Sequence, residues 1–442
     1  MKKKSLIIFG VILSICCLLL IGAASWAMLN NTDKDVSSGT NTEQTDFNEV
    51  VSEESEMQSE IESEIVVENK QKIRLMMIGD NLMHMGIVRT GEQEGGTRNY
   101  DFLFEPLKEH LAYADVKIIN QETIFGGNNL GFSGFPYFNS PTEIGDAIVN
   151  AGFNVVLHAS NHSADKGIKG INNCVDFWAQ YPEVLMTGIF KEANEENQDI
   201  GLITIDGVTF AILNYTYSPN LAALPKDIQG HLGMLCDWDK ATGNINFTKL
   251  HPDVLTDIKK AKEMADVVIV CPHWGTEYTF VPSSYQKKFA EQMTEAGADV
   301  IIGTHPHVVQ PVEWVESDNG NKSLCYYSLG NYVSTQQDEK PMLEAMAWIT
   351  FVVEEDSVEI LQEETGVIPM VCQYKVDPVR FENVYFLDEY TEELAQAHGI
   401  HSYGTKNHSL AQLEAWAEEV FGDWLLFSKD VFQDRKDVEF WK

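Results

Sequence analysis

In Ile73-Arg74-Leu75-Met76-Met77-Ile78-Gly79-Asp80-Asn81 a short, mostly apolar run stops at a glycine and two polar side chains able to hold a cation. A run of this length without regular alternation reads as a strand buried on both faces. The same construction recurs four times. Val116 to Ile119 leads into Asn120-Gln121-Glu122, and Val155 to Leu157 into His158-Ala159-Ser160-Asn161-His162. Val267 to Val270 leads into Cys271-Pro272-His273, and Val300 to Ile302 into Gly303-Thr304-His305-Pro306-His307. Between these runs, Thr142 to Asn150, Val254 to Met264 and Ser283 to Ala296 have helical spacing, with Pro141 and Pro282 where helices begin. Strands alternating with helices predict an α/β fold. Residues 200 to 215 read instead as a hairpin turning at Asp206-Gly207.

Ligands bind at the strand ends of α/β sheets, so five segments would deliver Asp, Glu, Asn and His to one edge. A mixed nitrogen and oxygen set suits divalent Mn, Fe or Zn. Taken singly, each residue has a plainer reading: Asp80 as a turn residue, Asn161 or His162 as a hydrogen-bonded cap. His305-Pro306-His307 is the stronger signal, because in an extended loop alternate side chains point the same way and proline stiffens the presentation. The coincidence of all five carries the metal-site reading.

Outward from this core the chain is acidic, with 67 Asp and Glu against 31 Lys and Arg and a formal net charge of −36. A binder of nucleic acid would carry the opposite sign, so nucleic acid is excluded as a partner. Lys2, Lys3 and Lys4 precede an uncharged stretch from Ser5 to Leu29 that is long enough to cross a bilayer. We expect residues 1–29 to be a transmembrane helix with the basic end cytoplasmic, placing the rest outside the cell membrane as a single-pass protein. A cleaved signal peptide ending near Ser25-Trp26-Ala27 is the competing reading. Residues 30–70 hold twelve acidic residues and almost no aromatic ones, which reads as a solvated stalk. The core domain is expected over 71–335, with a C-terminal extension, 336–442, packed on it. In that extension Ala347 to Glu354 and Val358 to Leu361 predict antiparallel strands, and Ser409 to Phe427 an amphipathic helix. Cys174, Cys236, Cys271, Cys325 and Cys372 are widely spaced and read as buried thiols, with one bridged pair left open.

Six ordered motifs resemble the capsule-synthesis CapA family, which is associated with poly-γ-glutamate production and export and is similar to calcineurin-like metallophosphoesterases. They are Gly79-Asp80, Asn120-Gln121-Glu122, Asn161-His162 with Asp165 and Gly167, His273-Trp274-Gly275 with Glu277-Tyr278, Gly303 through Pro311, and Ser328-Leu329-Gly330-Asn331. The resemblance implies a metallophosphoesterase-like α/β/β/α sandwich, two mixed sheets flanked by helices. It implies two divalent metal ions held by Asp80, Glu122, Asn161, His273, His305 and His307, with Glu122 bridging. His162 would be the general acid, and Asp165 and Glu277 would orient imidazoles. There is a departure: the phosphoesterase pattern places His two residues after the first Asp, where this chain has Leu82. Either His84 compensates through a bent loop or only one ion is bound.

Two functions follow from the resemblance. One is metal-assisted hydrolysis or transfer on an anionic cell-envelope polymer or its precursor. The other is a non-catalytic metal-binding accessory of a membrane synthase or exporter. Lys166, Lys169 and Arg89 are candidates to meet an anionic substrate, and Trp274, Tyr278 and Phe280 to wall the pocket. Solvated surface and core packing are the respective alternatives.

Overall fold

The computed structural model describes residues 70–193, 200–355 and 357–432. The expected membrane anchor and nearly all of the expected stalk lie outside the described residues. Among the described residues no helix is long and apolar enough to cross a membrane.

Strand β1 (Lys72–Asn81) shows in its own sequence how the layers are built. Ile73, Leu75 and Met77 face one core, while Met76 and Ile78 face another. A strand's side chains alternate between its two faces, so a run that is apolar on both must be covered on both. Each such side chain contributes roughly 1.5–3 kcal/mol on leaving water. β1 runs parallel to β2 (Val116–Asn120), which runs parallel to β3 (Val155–Leu157), and β3 to β4 (Leu185–Thr187). The second sheet starts with the expected hairpin, β5 (Gly201–Ile205) and β6 (Val208–Thr216). Its turn has Asp206 at φ 49° and Gly207 at φ 90°, the positive values of a tight two-residue hairpin.

After β6, a separate two-stranded ribbon is formed by β7 (Cys236–Trp238) and β8 (Ile245–Leu250). The second sheet continues through β9 (Val267–His273), β10 (Val300–Ile302), β11 (Val309–Glu316) and β12 (Lys322–Leu329), in the order β11-β12-β10-β9-β6-β5. The short β13 (Asn331–Val333) then returns to β1. Beyond residue 335, β14 (Leu343–Val353) pairs antiparallel with β1, β15 (Val358–Ile360) with β14, β16 (Gly366–Lys375) with β14, and β17 (Arg380–Phe386) with β16. These strands of the C-terminal region therefore belong to the first sheet.

Leu75, Ile118 and Ala347 from the first sheet meet Ile212, Ile269 and Ile302 from the second in one inter-sheet core. The outer face of the first sheet is covered by helices α1 (Glu143–Ala151) and α2 (Gly167–Trp178) through Ile148 and Phe177. The outer face of the second is covered by α3 (Pro252–Met264) and α4 (Ser284–Ala296) through Ile258 and Phe289. The arrangement is mixed α/β, two mixed sheets face to face with helices outside.

Two expectations need correction. The helix expected over Ser409 to Phe427 is α5 (Leu410–Phe421); it stops because Gly422 takes φ 49° and ψ −122°, outside helical geometry, and a short 3-10 turn follows. The strand expected from alternation at 347 to 354 is longer, 343–353, and is buried on both faces because β16 and β1 flank it. All five cysteines among the described residues are free and buried.

The carboxyl ends of the parallel strands meet at one edge. Asp80 pairs with Asn120 on β2, Asn120 with Leu157 on β3, and His273 bridges to Thr304. The chain then crosses from the second sheet to the first at Gly330 (φ 70°), and the Asp80 amide donates to the Gly330 carbonyl at 3.0 Å. A Cβ on Gly79 would lie 2.1 Å from that carbonyl oxygen, so only glycine permits the approach.

Candidate metal centre

Glu122 is fully buried just past β2, and neither carboxylate oxygen has a hydrogen-bond partner among the described residues. Three ring nitrogens point at its Oε1: His307 Nε2 at 3.7 Å, His162 Nε2 at 4.0 Å and His273 Nε2 at 4.0 Å. These distances exceed a hydrogen bond. With ligand bonds near 2.1 Å, donor atoms sharing one ion stand about 3–4 Å apart. A buried carboxyl without a hydrogen bond, ringed by imidazoles at that spacing, fits a divalent metal, which would offset the several kcal/mol that a bare buried charge costs.

Asp80 accepts from Asn120 Nδ2 at 2.7 Å and from the His305 amide at 3.1 Å, and its Oδ2 lies 3.2 Å from His307 Nδ1. His273 is fixed at both nitrogens, Nδ1 at 2.9 Å from Thr304 Oγ1 and Nε2 at 3.1 Å from Asn161 Oδ1. Asp80, Glu122 and His307 offer donor atoms within 4.8 Å of one another, and so do Glu277, His305 and His307. His307 belongs to both groups.

The loop carrying His305 and His307 is not extended. His305 sits at φ 96° and His307 at φ 57°, conformations that cost non-glycine residues of order 1–3 kcal/mol. The Asp80 carboxylate on the His305 amide and the Asn331 amide on the His307 carbonyl, at 3.3 Å, hold it there. The two rings still converge, with centroids 5.7 Å apart. Backbone strain held by buried side chains, rather than alternation, brings them together.

Burial, and then the neighbouring imidazoles, push His273 and His305 well below the usual range, leaving both neutral, the form in which an imidazole can bind a cation. Burial acts the same way on His307, but the Glu122 and Asp80 carboxylates outweigh it and hold that ring up at about 9. Burial drives the Glu122 carboxyl well above the carboxylate range, with His307 opposing and Asp80 adding to it.

His162 packs against Phe138, ring centroids 4.6 Å apart, and its Nδ1 donates to Asp165 Oδ2 at 2.7 Å. The Phe138 amide donates to the same oxygen at 2.6 Å. Asp165 therefore fixes the ring with Nε2 toward the cluster. Glu277, expected to orient an imidazole, is exposed, and its carboxylate lies within 4.8 Å of ring nitrogens of His305 and His307. His84 lies within electrostatic reach, burial and then His307 and His162 lowering it to about 4, yet its Nδ1 accepts from the Thr335 amide at 3.3 Å. It belongs to neither convergent group among the described residues. Leu82 is buried in the core.

Three contributors escaped the reading of the sequence as individuals. Asn331 accepts from His307 Nδ1 at 3.0 Å, Thr304 partners His273, and the Tyr217 ring packs on His305 with centroids 4.7 Å apart. Asn331 and Thr304 lie inside the quoted motifs; nothing in the sequence marks Tyr217. Of the candidate walls, Trp274 is buried with its indole nitrogen donating to the Tyr327 carbonyl, whereas Tyr278 is exposed beside His307. Lys166 donates to the Tyr137 carbonyl at 3.2 Å, while Lys169 and Arg89 lie on the surface.

A sequence model described as "Bacterial capsule synthesis protein PGA_cap" matches residues 74–336. The chain is 28% identical over 261 residues to the PGA biosynthesis protein CapA of Bacillus subtilis (strain 168), covering 59% of this chain and 62% of that protein. It is 29% identical over 286 residues to the capsule biosynthesis protein CapA of Bacillus anthracis, covering 60% and 61%. The matches thus span about three fifths of these relatives' length. Among solved structures, the calcineurin-like phosphoesterase YfkN from Bacillus subtilis aligns at 12% identity with a TM-score of 0.36, over 79% of this chain and 98% of that one.

Proposed function

Since the chain belongs to the bacterial capsule synthesis protein family PGA_cap, we propose that it serves capsule biosynthesis as a metal-dependent hydrolase or transferase. In this reading it works at the outer face of the membrane on an anionic cell-envelope polymer such as poly-γ-glutamate, or on its precursor. The observation that carries the reading is Glu122, buried without a hydrogen-bond partner among the described residues and faced by three imidazole nitrogens at 3.7–4.0 Å.

Asp80, Glu122, Asn161, His273, His305 and His307 would hold two divalent ions, with Glu277 closing the solvent side. When bound, such ions polarise a phosphoryl or carbonyl oxygen and lower the pKa of water. The remaining chemistry belongs to the chain. Asp165 accepts the Nδ1 proton of His162 and so aims Nε2 at the cluster. In its imidazolium form His162 would give the Nε2 proton to the leaving group. Phe138 packs against the ring and limits the directions in which it can turn.

The test is metal analysis of the purified full chain beside Asp80→Ala and His305→Ala. Two ions per chain, with binding lost in both variants, is the expected outcome; a wild-type chain that takes up no divalent metal sinks the proposal. His162→Ala should abolish turnover with metal content unchanged. If polymer production survives that change, the accessory role is the correct one.

A further inference from the structure

A cavity of about 190 Å³ opens beside the metal cluster. The Tyr217 ring is the shared wall, lining the cavity while packing on His305 at 4.7 Å between centroids. A second shared wall is the stretch from Trp274 to Thr276, which connects the ligand His273 to Glu277. The far side comes from Tyr285 and Phe289 at the start of α4 and from Phe247 on β8.

Most polar groups of the inner lining are already used. Trp274 Nε1 donates to the Tyr327 carbonyl at 3.0 Å, and Ser283 and Gln286 satisfy each other as a helix cap, at 2.8 and 3.2 Å. Gln286 Nε2 donates to Gln310 Oε1 at 2.7 Å. Cys236 adds a buried thiol that burial pushes up to about 12, hence uncharged at neutral pH. Among the described residues no Lys, Arg, Asp or Glu lines the space. A sugar ring or a charged group entering it would surrender water contacts without replacement. Aromatic walls whose free hydroxyls, Thr276 and Tyr285, stand at the exposed rim suit hydrocarbon within, and an apolar cavity of about 150 Å³ is known to accept benzene. At the mouth, Phe247 and Tyr285 remain 43% and 45% exposed, apolar surface that an occupant would cover.

We propose that this cavity is a ligand subsite for an uncharged apolar group, an aryl or branched alkyl arm on the molecule whose reactive centre reaches the metal cluster. As a substrate subsite it rests on the hydrolytic reading above; as a binding site it stands alone. It confers selectivity by shape and dryness, since an arm lacking such a group leaves two aromatic faces wet.

The first arm of the test is a titration of the full chain in chelator with phenol, methyl α-D-glucopyranoside and tetramethylammonium, followed by ligand-observed NMR. Phenol should bind wild type, bind about tenfold more weakly to Phe247→Ala, and be blocked by Thr276→Trp, which fills the cavity from its exposed rim. Phenol binding that ignores both substitutions, or preferential uptake of the glucoside or the quaternary ammonium, overturns the proposal. The second arm compares phosphate release from benzyl phosphate and methyl phosphate by the metal-loaded chain. A preference of about tenfold in kcat/KM for the benzyl ester should collapse in Phe247→Ala, with the methyl ester, which has no arm to place in the cavity, unaffected. Equal loss on both esters overturns the subsite's role in selectivity. Turnover of neither ester counts against the hydrolytic reading, and the chelator titration still decides the cavity.

Discussion

His162 depends on Asp165 for its orientation: one carboxylate oxygen receives both the ring nitrogen at 2.7 Å and the Phe138 amide at 2.6 Å. Asp165→Asn keeps the shape but presents a weaker, neutral partner and allows the ring to flip. We expect kcat to fall about 10–100-fold with metal content unchanged. Metal analysis alongside steady-state rates checks this, and a variant that loses metal as well would show that Asp165 supports the cluster instead. At this scale the sequence was informative where chemistry is concentrated in one residue type. Asp80, Glu122, His273, His305 and His307 announce themselves as carboxylates and imidazoles at strand ends. Asn331 and Thr304 do not, because amides and hydroxyls serve turns and caps far more often than they steer a histidine. For Glu277 the sequence gives the residue type but not the place, since nothing in one dimension tells how the loop after Gly275 folds. The Tyr278 amide bonds to the Pro306 carbonyl at 2.9 Å, which lays that loop over His305-Pro306-His307 and brings the carboxylate inside ligand range.

Elements were legible in proportion to how strongly their own pattern specified them. β1, β2, β3, β9 and β10 are apolar runs with polar ends, and α4 has helical spacing with Pro282 just before its start, so sequence and structure agree closely there. The ribbon β7-β8 gave no such signal because its residues from Asn246 to Lys249 are exposed. Nor could any local pattern reveal β13, three residues whose placement is set by the meeting of Gly79 and Gly330. That crossing is testable. Gly79→Ala puts a methyl group 2.1 Å from a backbone oxygen that also accepts from the Asp80 amide, so β1 and β13 must part where Asp80 and Asn331 meet. The cost expected is about 1–3 kcal/mol of stability. Metal retention should fall with it, because Asp80 and the partner of His307 move together. A melting curve and metal stoichiometry measure the two effects, and an unchanged melting temperature would show that the crossing has slack.

For the whole molecule, charge and burial act on stability in opposite directions as the solution is acidified. A net −36 means self-repulsion, which weakens as carboxylates take up protons. Buried neutral histidines do the reverse. His398 is committed at both nitrogens, Nε2 donating to the Cys372 carbonyl and Nδ1 accepting from the Ile400 amide, each at 2.9 Å. His408 packs against it, centroids 4.5 Å apart, 1% exposed and with no hydrogen-bond partner for either nitrogen among the described residues. Burial lowers His398 to about 4 despite the Cys372 hydrogen bond, and burial with His398 and His401 lowers His408 to about 3. Unfolded, both rings bind protons near 6.5, whereas folded they stay neutral to far lower pH. Their contribution is therefore intact above about 6.5 and is lost as pH falls toward 4 and 3, at about 1.4 kcal/mol per pH unit for each ring. These rings pack the segment around 398–408 onto β16, and from that segment Lys406 meets Asp338 at 3.3 Å while the Asn407 amide meets Glu339. The loop so held carries Gln336, which bonds Asn331 at 2.9 Å and Tyr278 at 3.2 Å at the edge of the metal cluster. Acid should thus loosen the C-terminal region and the site together. His408→Leu removes one proton acceptor and leaves the carboxylates untouched, so the difference between variant and wild type isolates the ring. Melting temperatures from pH 7 to 4 should fall less steeply in His408→Leu, and identical slopes would assign the acid sensitivity elsewhere.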